Sequence, residues 1–348
     1  MKRLKQFGIA IVYWFLAMNL FYVFRYFGLP EEHGIEVSED VLEMNGNFIF
    51  VSVLGGFIFG FFHFLVQQIT GTARFKRKSF GQTLVIRGLL YLVILIITGN
   101  VLIATSENLF STEIIVEPLI LTKGFWSFAL FFTLMSSIYV FFEIVSEKFG
   151  RGVLMKMLLG SYRSPKEENR IFMFLDLKSS TTIAENLGHF EYSKLIQQCF
   201  YDLNEVAAKY DGEIYQYVGD EVVISWPYER GVKDNNCIDC FFYFQRKLES
   251  KRAYYEENFE ILPEFKAGLH GGKLIVTEVG IMKKEIAYHG DVINTAARIQ
   301  GECNTHKAKL LISEILMDAL DKSAIDLKPL GLINLKGKQE SIQLIQVL

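Results

Sequence analysis

The chain has 348 residues, of which 51% are apolar and 22% charged, and its formal net charge is −3. That length suggests about two domains. The weak charge, with no basic cluster interleaved with aromatics in the second half, excludes a nucleic-acid partner.

The apolar excess is uneven. Four long hydrophobic runs, Phe7–Phe24, Phe48–Val66, Leu84–Ala104 and Phe125–Val145, precede a stretch that reads as an ordinary soluble domain. Each is long enough to cross a bilayer, and Arg87 and Glu143 are the only formal charges inside them. They read as four transmembrane helices. The N-terminus carries Lys2, Arg3 and Lys5, and the second-to-third loop carries Arg74, Lys76, Arg77 and Lys78. The other loops are acidic, with Glu31, Glu32, Glu36, Glu39, Asp40 and Glu43 in one and Glu107, Glu113 and Glu117 in the other. The positive-inside rule then predicts a multi-pass protein of the inner or plasma membrane, with both termini cytoplasmic. A cleaved signal peptide is the competing reading of the first run, but that run is long and no small-x-small site follows it. Gly56-Phe57-Ile58-Phe59-Gly60 has a spacing that lets two helices approach closely, across a dimer interface for instance. His63 reads as a polar residue facing the bundle, ahead of a haem-binding or pH-sensing role.

Three pieces are expected: a four-helix membrane domain over 1–146, a connector over 147–168 and a soluble domain over 169–348. The connector mixes basic and apolar residues, which suits a continuation of the fourth helix or a segment on the membrane surface. Ser164-Pro165 marks a break after it. The soluble part predicts a strand over 170–176, helices over 180–209, a hairpin over 213–226 and a helix over 234–257. Two strands across 264–287, a helix over 291–304 and a last strand over 341–347 follow. Strands and helices intermix without a strict repeat, which indicates an α+β domain with helices on a mainly antiparallel sheet. Cys199, Cys237, Cys240 and Cys303 all fall in this cytoplasmic part and are expected to stay reduced. The spacing of Cys237 and Cys240 stands alone in a helix-like stretch and is no metal motif by itself.

Asp176 ends the apolar run Ile171-Phe172-Met173-Phe174-Leu175, and Asp220 occupies the tip of the predicted hairpin. A carboxylate directly after an apolar strand is costly unless it is paired. Two on adjacent strand ends suit Mg²⁺ or Mn²⁺ held against a triphosphate, while a helix cap and a turn residue are the plain alternative. On a helix from Asp291, Asn294 and Arg298 share a face, and an amide beside a guanidinium suits a ribose and a phosphate. Lys336-Gly337-Lys338 offers a cation on a tight turn.

These residues resemble the class III nucleotidyl cyclases, the adenylyl and guanylyl cyclase family. The resemblance covers about residues 169–348 and lies in ordered motifs. They are Phe174-Leu175-Asp176-Leu177, Val218-Gly219-Asp220-Glu221, Gly268-Leu269-His270-Gly271-Gly272, Gly290-Asp291-Val292-Ile293-Asn294-Thr295-Ala296-Ala297-Arg298, and the Lys336-Gly337-Lys338 turn. It implies a homodimer with active sites at the interface and two Mg²⁺ or Mn²⁺ per site, held by Asp176, Asp220 and the Leu177 carbonyl. It also implies that the turn Lys178–Thr181, with Ser179, Ser180 and Thr181 opening a helix, cradles the triphosphate through backbone N–H groups. From the second chain, Asn294 would position the ribose, Arg298 would stabilise charge at the α-phosphate, and Lys336 would hold the terminal phosphates, with Lys338 in reserve.

Two departures from the family pattern stand out. The turn after Asp176 often carries Gly-Phe-Thr, and Ser179-Ser180-Thr181 here is expected to keep the helix-capping chemistry. At the base-reading positions stand Gln216 and Ala287, where adenylyl cyclases typically place Lys and Asp or Thr, and guanylyl cyclases Glu and Cys. Gln216 both donates and accepts, so it suits either purine edge. His270 reads as structural, and Lys178 and Glu221 as solvated flanks. The expected function is a membrane-bound adenylate cyclase. A guanylate or dual-specificity cyclase, a catalytically silent nucleotide-binding sensor, and a transporter or channel regulated by the soluble half are the rivals.

Overall fold

The computed structural model describes residues 2–26, 47–71, 75, 78–110, 123–149, 153–282 and 284–348. They belong to two compact units, Met1–Val145 and Ser146–Leu348. The loop charges Glu31, Glu32, Glu36, Glu39, Asp40, Glu43, Arg74, Lys76, Arg77, Glu113 and Glu117 lie outside the described residues, as do Gly150, Arg151 and Gly152 of the connector.

The first unit is helical: α1 (Lys2–Tyr26), α2 (Asn47–Thr70), α3 (Phe80–Phe110) and α4 (Lys123–Phe149). Of the four runs, two hold described stretches long and apolar enough to cross a membrane, Ser52–Thr70 in α2 and Phe125–Ser146 in α4. Shorter apolar stretches, Gln6–Phe21 and Gly81–Ile97, occupy α1 and α3. Polar and small residues, Gly8 and Asn19 in α1 and Arg87, Thr98 and Asn100 in α3, dilute those two runs.

Aromatic stacking fills the interior of this unit, with Trp14 lying on Phe132 at 4.6 Å between centroids. A Cβ at Gly56 would stand 2.9 Å from Phe15 Cα, and one at Gly60 would stand 2.8 Å from Ile11 Cα. The glycine pair therefore seats α2 on α1 of the same chain, the close approach that its spacing announces, here made within one chain. Glycine at both positions is what lets the two backbones close. Arg87 and Glu143, the two charges of the apolar runs, meet at 2.5 Å. Thr70 accepts from Arg87 Nε at 2.8 Å, and Gln67 donates to Glu143 at 2.6 Å. His63 is buried, 3.0 Å from the Tyr91 hydroxyl.

The second unit opens with the one-and-a-half-turn helix α5 (Val153–Leu158) and then β1 (Lys166–Leu177), which begins four residues before the expected strand. α6 (Ser180–Lys209), β2 (Glu213–Val218) and β3 (Glu221–Pro227) come next. After α7 (Tyr228–Val232), the single helix expected over 234–257 is instead two: α8 (Asn236–Ser250) and α9 (Arg252–Phe259). Positive φ at Asp234 and Asn235 breaks the chain before α8. β4 (Phe265–Val279), β5 (Glu285–His289), α10 (Asp291–Thr305), β6 (Leu310–Ser313), α11 (Glu314–Met317), β7 (Leu327–Ile333) and β8 (Ile342–Val347) complete it.

The eight strands form one sheet in the order β2-β3-β1-β4-β6-β8-β7, with β5 folded back on β4. All pairings are antiparallel except β4 with β6. β1 is central, and its second half is buried on both faces, which is why Ile171–Leu175 is continuously apolar. Ile171, Met173, Leu175 and Leu177 enter one core with α6 and α8, while Phe172 and Phe174 enter another with Val292 and Ala296 of α10. The period of two then puts Asp176 on the face that carries α10. All four cysteines are buried and free.

Candidate active site

Asp176 lies at the end of β1, opposite Glu221 on β3 and Lys266 on β4. Its Oδ2 accepts from Gln300 Nε2 of α10 at 3.0 Å and lies 3.1 Å from Lys266 Nζ. Its Oδ1 has no hydrogen bond among the described residues. Burial pushes the Asp176 carboxyl up, the Asp220 charge adds to this, and Lys266 and Gln300 oppose it without cancelling it. Glu221 is likewise raised by burial and by both aspartates. It is half-buried beside the pair, which corrects the expectation that it is merely a solvated flank.

Asp220 follows Gly219, whose φ of +62° is the left-handed conformation that a glycine adopts freely at the first position of a tight hairpin. Its side chain makes no hydrogen bond or ion pair among the described residues. No three His, Cys, Asp or Glu side chains there converge to hold a metal alone. The donor set is two carboxylates on neighbouring strand ends with the Leu177 carbonyl alongside. All-oxygen donors of this kind suit Mg²⁺ or Mn²⁺ completed by phosphate oxygens.

The turn from β1 into α6 differs from expectation at its first serine. Ser179 sits in the left-handed region, φ 58° and ψ 31°, and its side chain makes no cap hydrogen bond. Capping needs extended backbone at that residue, and the chain reverses too sharply here to supply it. Lys178 is also not free to cradle phosphate, because its N–H donates to Glu264 O at 2.8 Å and its Nζ pairs with Glu264 at 3.1 Å. Ser180 and Thr181, in the first turn of α6, keep the N–H groups that a helix start leaves unpaired.

α10 carries the second set. Asn294 is exposed and makes only a 3.5 Å contact with Gly290 O. Arg298 is half-exposed and unpaired among the described residues, and its Nη2 lies 3.6 Å from where a Cβ on Gly337 would stand. Gly337, at φ +73°, makes the turn between Lys336 and Lys338. Lys338 pairs with Asp291 at 2.6 Å, while Lys336 is exposed without a partner among the described residues. Arg298 thus neighbours the Lys336–Lys338 turn, and Asn294 lies one helical turn earlier on the same face of α10. No ion pair joins Arg298 to Asp176 or Asp220. Gln216 is exposed just past a bulge in β2, and Ala287 pairs with Thr277 on β4. Tyr215 and Tyr288, their sequence neighbours, meet edge to face at 4.7 Å. His270 is buried with Nδ1 2.7 Å from Ser313 Oγ, a structural setting.

Lys266 and Gln300 are absent from the sequence-based set. The signal for Lys266 was a lone cation inside the otherwise apolar Phe265–Leu269; for Gln300 there was none.

A family model described as the adenylate and guanylate cyclase catalytic domain matches residues 163–346. Adenylate cyclase 2 of Rhizobium meliloti (strain 1021) is 34% identical over 209 residues, covering 60% of this chain and 58% of that protein. Adenylate cyclase 1 of the same organism is 29% identical over 181 residues, covering 50% of this chain and 27% of that protein. The chain therefore spans less than two thirds of the length of either curated relative. The structure of a bacterial light-regulated adenylyl cyclase superposes with a TM-score of 0.53 at 20% identity, covering 62% of this chain and 63% of that one. At that identity the likeness concerns the fold.

Proposed function

We infer the activity from one premise: the chain belongs to the adenylate and guanylate cyclase catalytic domain family. It is a membrane-anchored adenylate cyclase that converts ATP to 3′,5′-cyclic AMP and pyrophosphate as a homodimer. The observation that carries this reading is the placement of two unshared oxygen donors, Asp176 Oδ1 and the Asp220 carboxylate, at adjacent strand ends. ATP is preferred to GTP on the names of the two curated relatives.

The family uses divalent metal ions. Here Asp176, Asp220 and the Leu177 carbonyl would hold two, and these would neutralise the triphosphate and lower the pKa of the 3′-hydroxyl. The first turn of α6 orients the phosphates through its N–H groups. Asn294 holds the ribose so that the 3′-oxygen faces the α-phosphorus. Arg298 stabilises charge developing on the α-phosphate as the pyrophosphate bond breaks. Lys336 binds the terminal phosphates and keeps the leaving group in line. Within one chain no ion pair joins Arg298 to Asp176 or Asp220, and a second copy would complete the site. Gln216 contacts the purine edge beside Ala287, which adds no hydrogen bond of its own.

All four helices anchor the chain, with α1 and α3 crossing the bilayer through partnership with α2 and α4. The Arg87–Glu143 pair neutralises the two charges that such a crossing buries. The catalytic unit and both termini then lie in the cytoplasm.

The test is product formation by the detergent-solubilised chain from ATP or GTP with Mg²⁺ or Mn²⁺, beside Asp220→Ala. Cyclic AMP that disappears in the variant supports the reading. Folded, dimeric protein that yields no cyclic nucleotide overturns it in favour of a silent nucleotide-binding sensor.

A further inference from the structure

Lys266 is a charged side chain that the proposed chemistry leaves unassigned. It stands opposite Asp176 in the β1–β4 register and its side chain is only 12% exposed. Nζ lies 3.1 Å from Asp176 Oδ2 and also 3.1 Å from Asn304 Oδ1 of α10. Gln300, itself buried, donates to the same Asp176 oxygen at 3.0 Å. Two donors on one carboxylate oxygen fix the rotation of the group and leave the other oxygen open.

Three carboxylates, Asp176, Asp220 and Glu221, share this corner of the sheet. Like charges brought together under partial burial repel strongly unless a cation compensates them. Lys266 supplies that compensation from within the chain. Its second anchor on Asn304 means that it has no reason to leave when a divalent cation arrives. A fixed positive charge next to a divalent cation weakens the binding of that cation.

We propose that Lys266, on the metal-site reading above, is a positioning residue and resident counter-ion of the site. It holds Asp176 with Oδ1 open, stabilises the cation-free corner and keeps cation affinity low. Stable cation occupancy then waits for the negative charge that a nucleoside triphosphate brings, and the cations leave with pyrophosphate.

The experiment measures free Mn²⁺ by electron paramagnetic resonance over the full-length chain in detergent, with and without a non-cyclisable ATP analogue. Wild type, Lys266→Met, Lys266→Gln, Lys266→Arg and Asp176→Asn are compared. Without nucleotide, Lys266→Met and Lys266→Gln bind Mn²⁺ tighter by about threefold or more, while Lys266→Arg stays within about twofold of wild type. The gain in Mn²⁺ affinity on adding the analogue shrinks in the two uncharged variants. Their melting temperatures fall below wild type in chelator and recover on adding Mn²⁺, a shift that a loss of packing alone would not reverse. Binding that Asp176→Asn abolishes but the uncharged variants leave unchanged or weaken overturns the role of Lys266 and leaves the metal site standing. Absence of any Asp176-dependent Mn²⁺ binding overturns both.

Discussion

Lys338 Nζ lies 2.6 Å from Asp291 Oδ2, which ties the turn before β8 to the first residue of α10. The carboxylate also accepts from Thr295 one helical turn on and stands at the positive end of the helix. Burial nudges the Asp291 carboxyl up, but the hydrogen bonds and charge of Lys338 and Thr295 outweigh it and hold the group below its ordinary value. Lys338 is thereby committed to structure, and the proposed phosphate contact falls to Lys336. Lys336→Ala should raise KM for the nucleotide about tenfold or more with no change in melting temperature. Lys338→Ala should instead lower stability, by less than about 1 kcal/mol because Asp291 is exposed. Steady-state kinetics and thermal melts of both variants separate the roles.

A site shared between two chains, as proposed, predicts complementation. Asp220→Ala and Arg298→Ala should each be inactive by about a hundredfold or more. Mixing the two chains should restore about a quarter of wild-type activity, because half of randomly paired dimers carry one intact site of two. An inactive mixture, from chains shown to exchange, removes the shared-site geometry.

Ser179 occupies a backbone conformation that glycine adopts without steric cost. Since its hydroxyl makes no cap hydrogen bond, Ser179→Gly should stabilise the chain by about 0.5–1 kcal/mol. Differential scanning calorimetry reads this as a higher melting temperature, and a lower one contradicts the backbone assignment.

Burial, helped by the nearby Lys338 charge, holds His270 down at about 4 against its ordinary 6.5. The folded chain keeps it neutral where the unfolded chain would protonate it. Its contribution is therefore full above pH 6.5 and declines as pH falls toward 4, by roughly 3 kcal/mol in all. His270→Gln should flatten the fall in melting temperature between about pH 7 and about pH 5. Parallel slopes for variant and wild type would discard the neutral, buried histidine.

In the helical unit the side chains of Arg87 and Glu143 are 7% and 14% exposed. Removing one partner leaves a buried charge alone, so Arg87→Met or Glu143→Leu should each cost about 3 kcal/mol or more. The double substitution should recover most of that loss. Melting curves in detergent decide it, and additive losses would mean that the pair does not act as a unit.

The aspartates were legible because their signals are local. A carboxylate closing an apolar strand and a Gly-Asp tip between two β-rich runs mark positions within a few residues of themselves. Asn294 and Arg298 follow from the period of one helix. The partners of Asp176 were not legible, since Gln300 is 124 positions away and Lys266 reaches it only through the register of two strands. The glycine pair of α2 shows the same limit: spacing announces a close approach but does not name the helix that approaches. Ser179 failed differently, because its composition suits a cap while the geometry of the strand exit forbids one.

A Cβ at Gly268 would stand 2.2 Å from the Gln300 backbone nitrogen, so α10 lies directly on the main chain of β4. Such a seat leaves no lubricating layer of side chains along which the helix can slide. α10 and Asp176, which Gln300 of the same helix holds, are therefore seated together. In the proposed homodimer, widening the gap between the aspartates of one chain and Arg298 of the other would then mean shifting one protomer against its partner, not bending either.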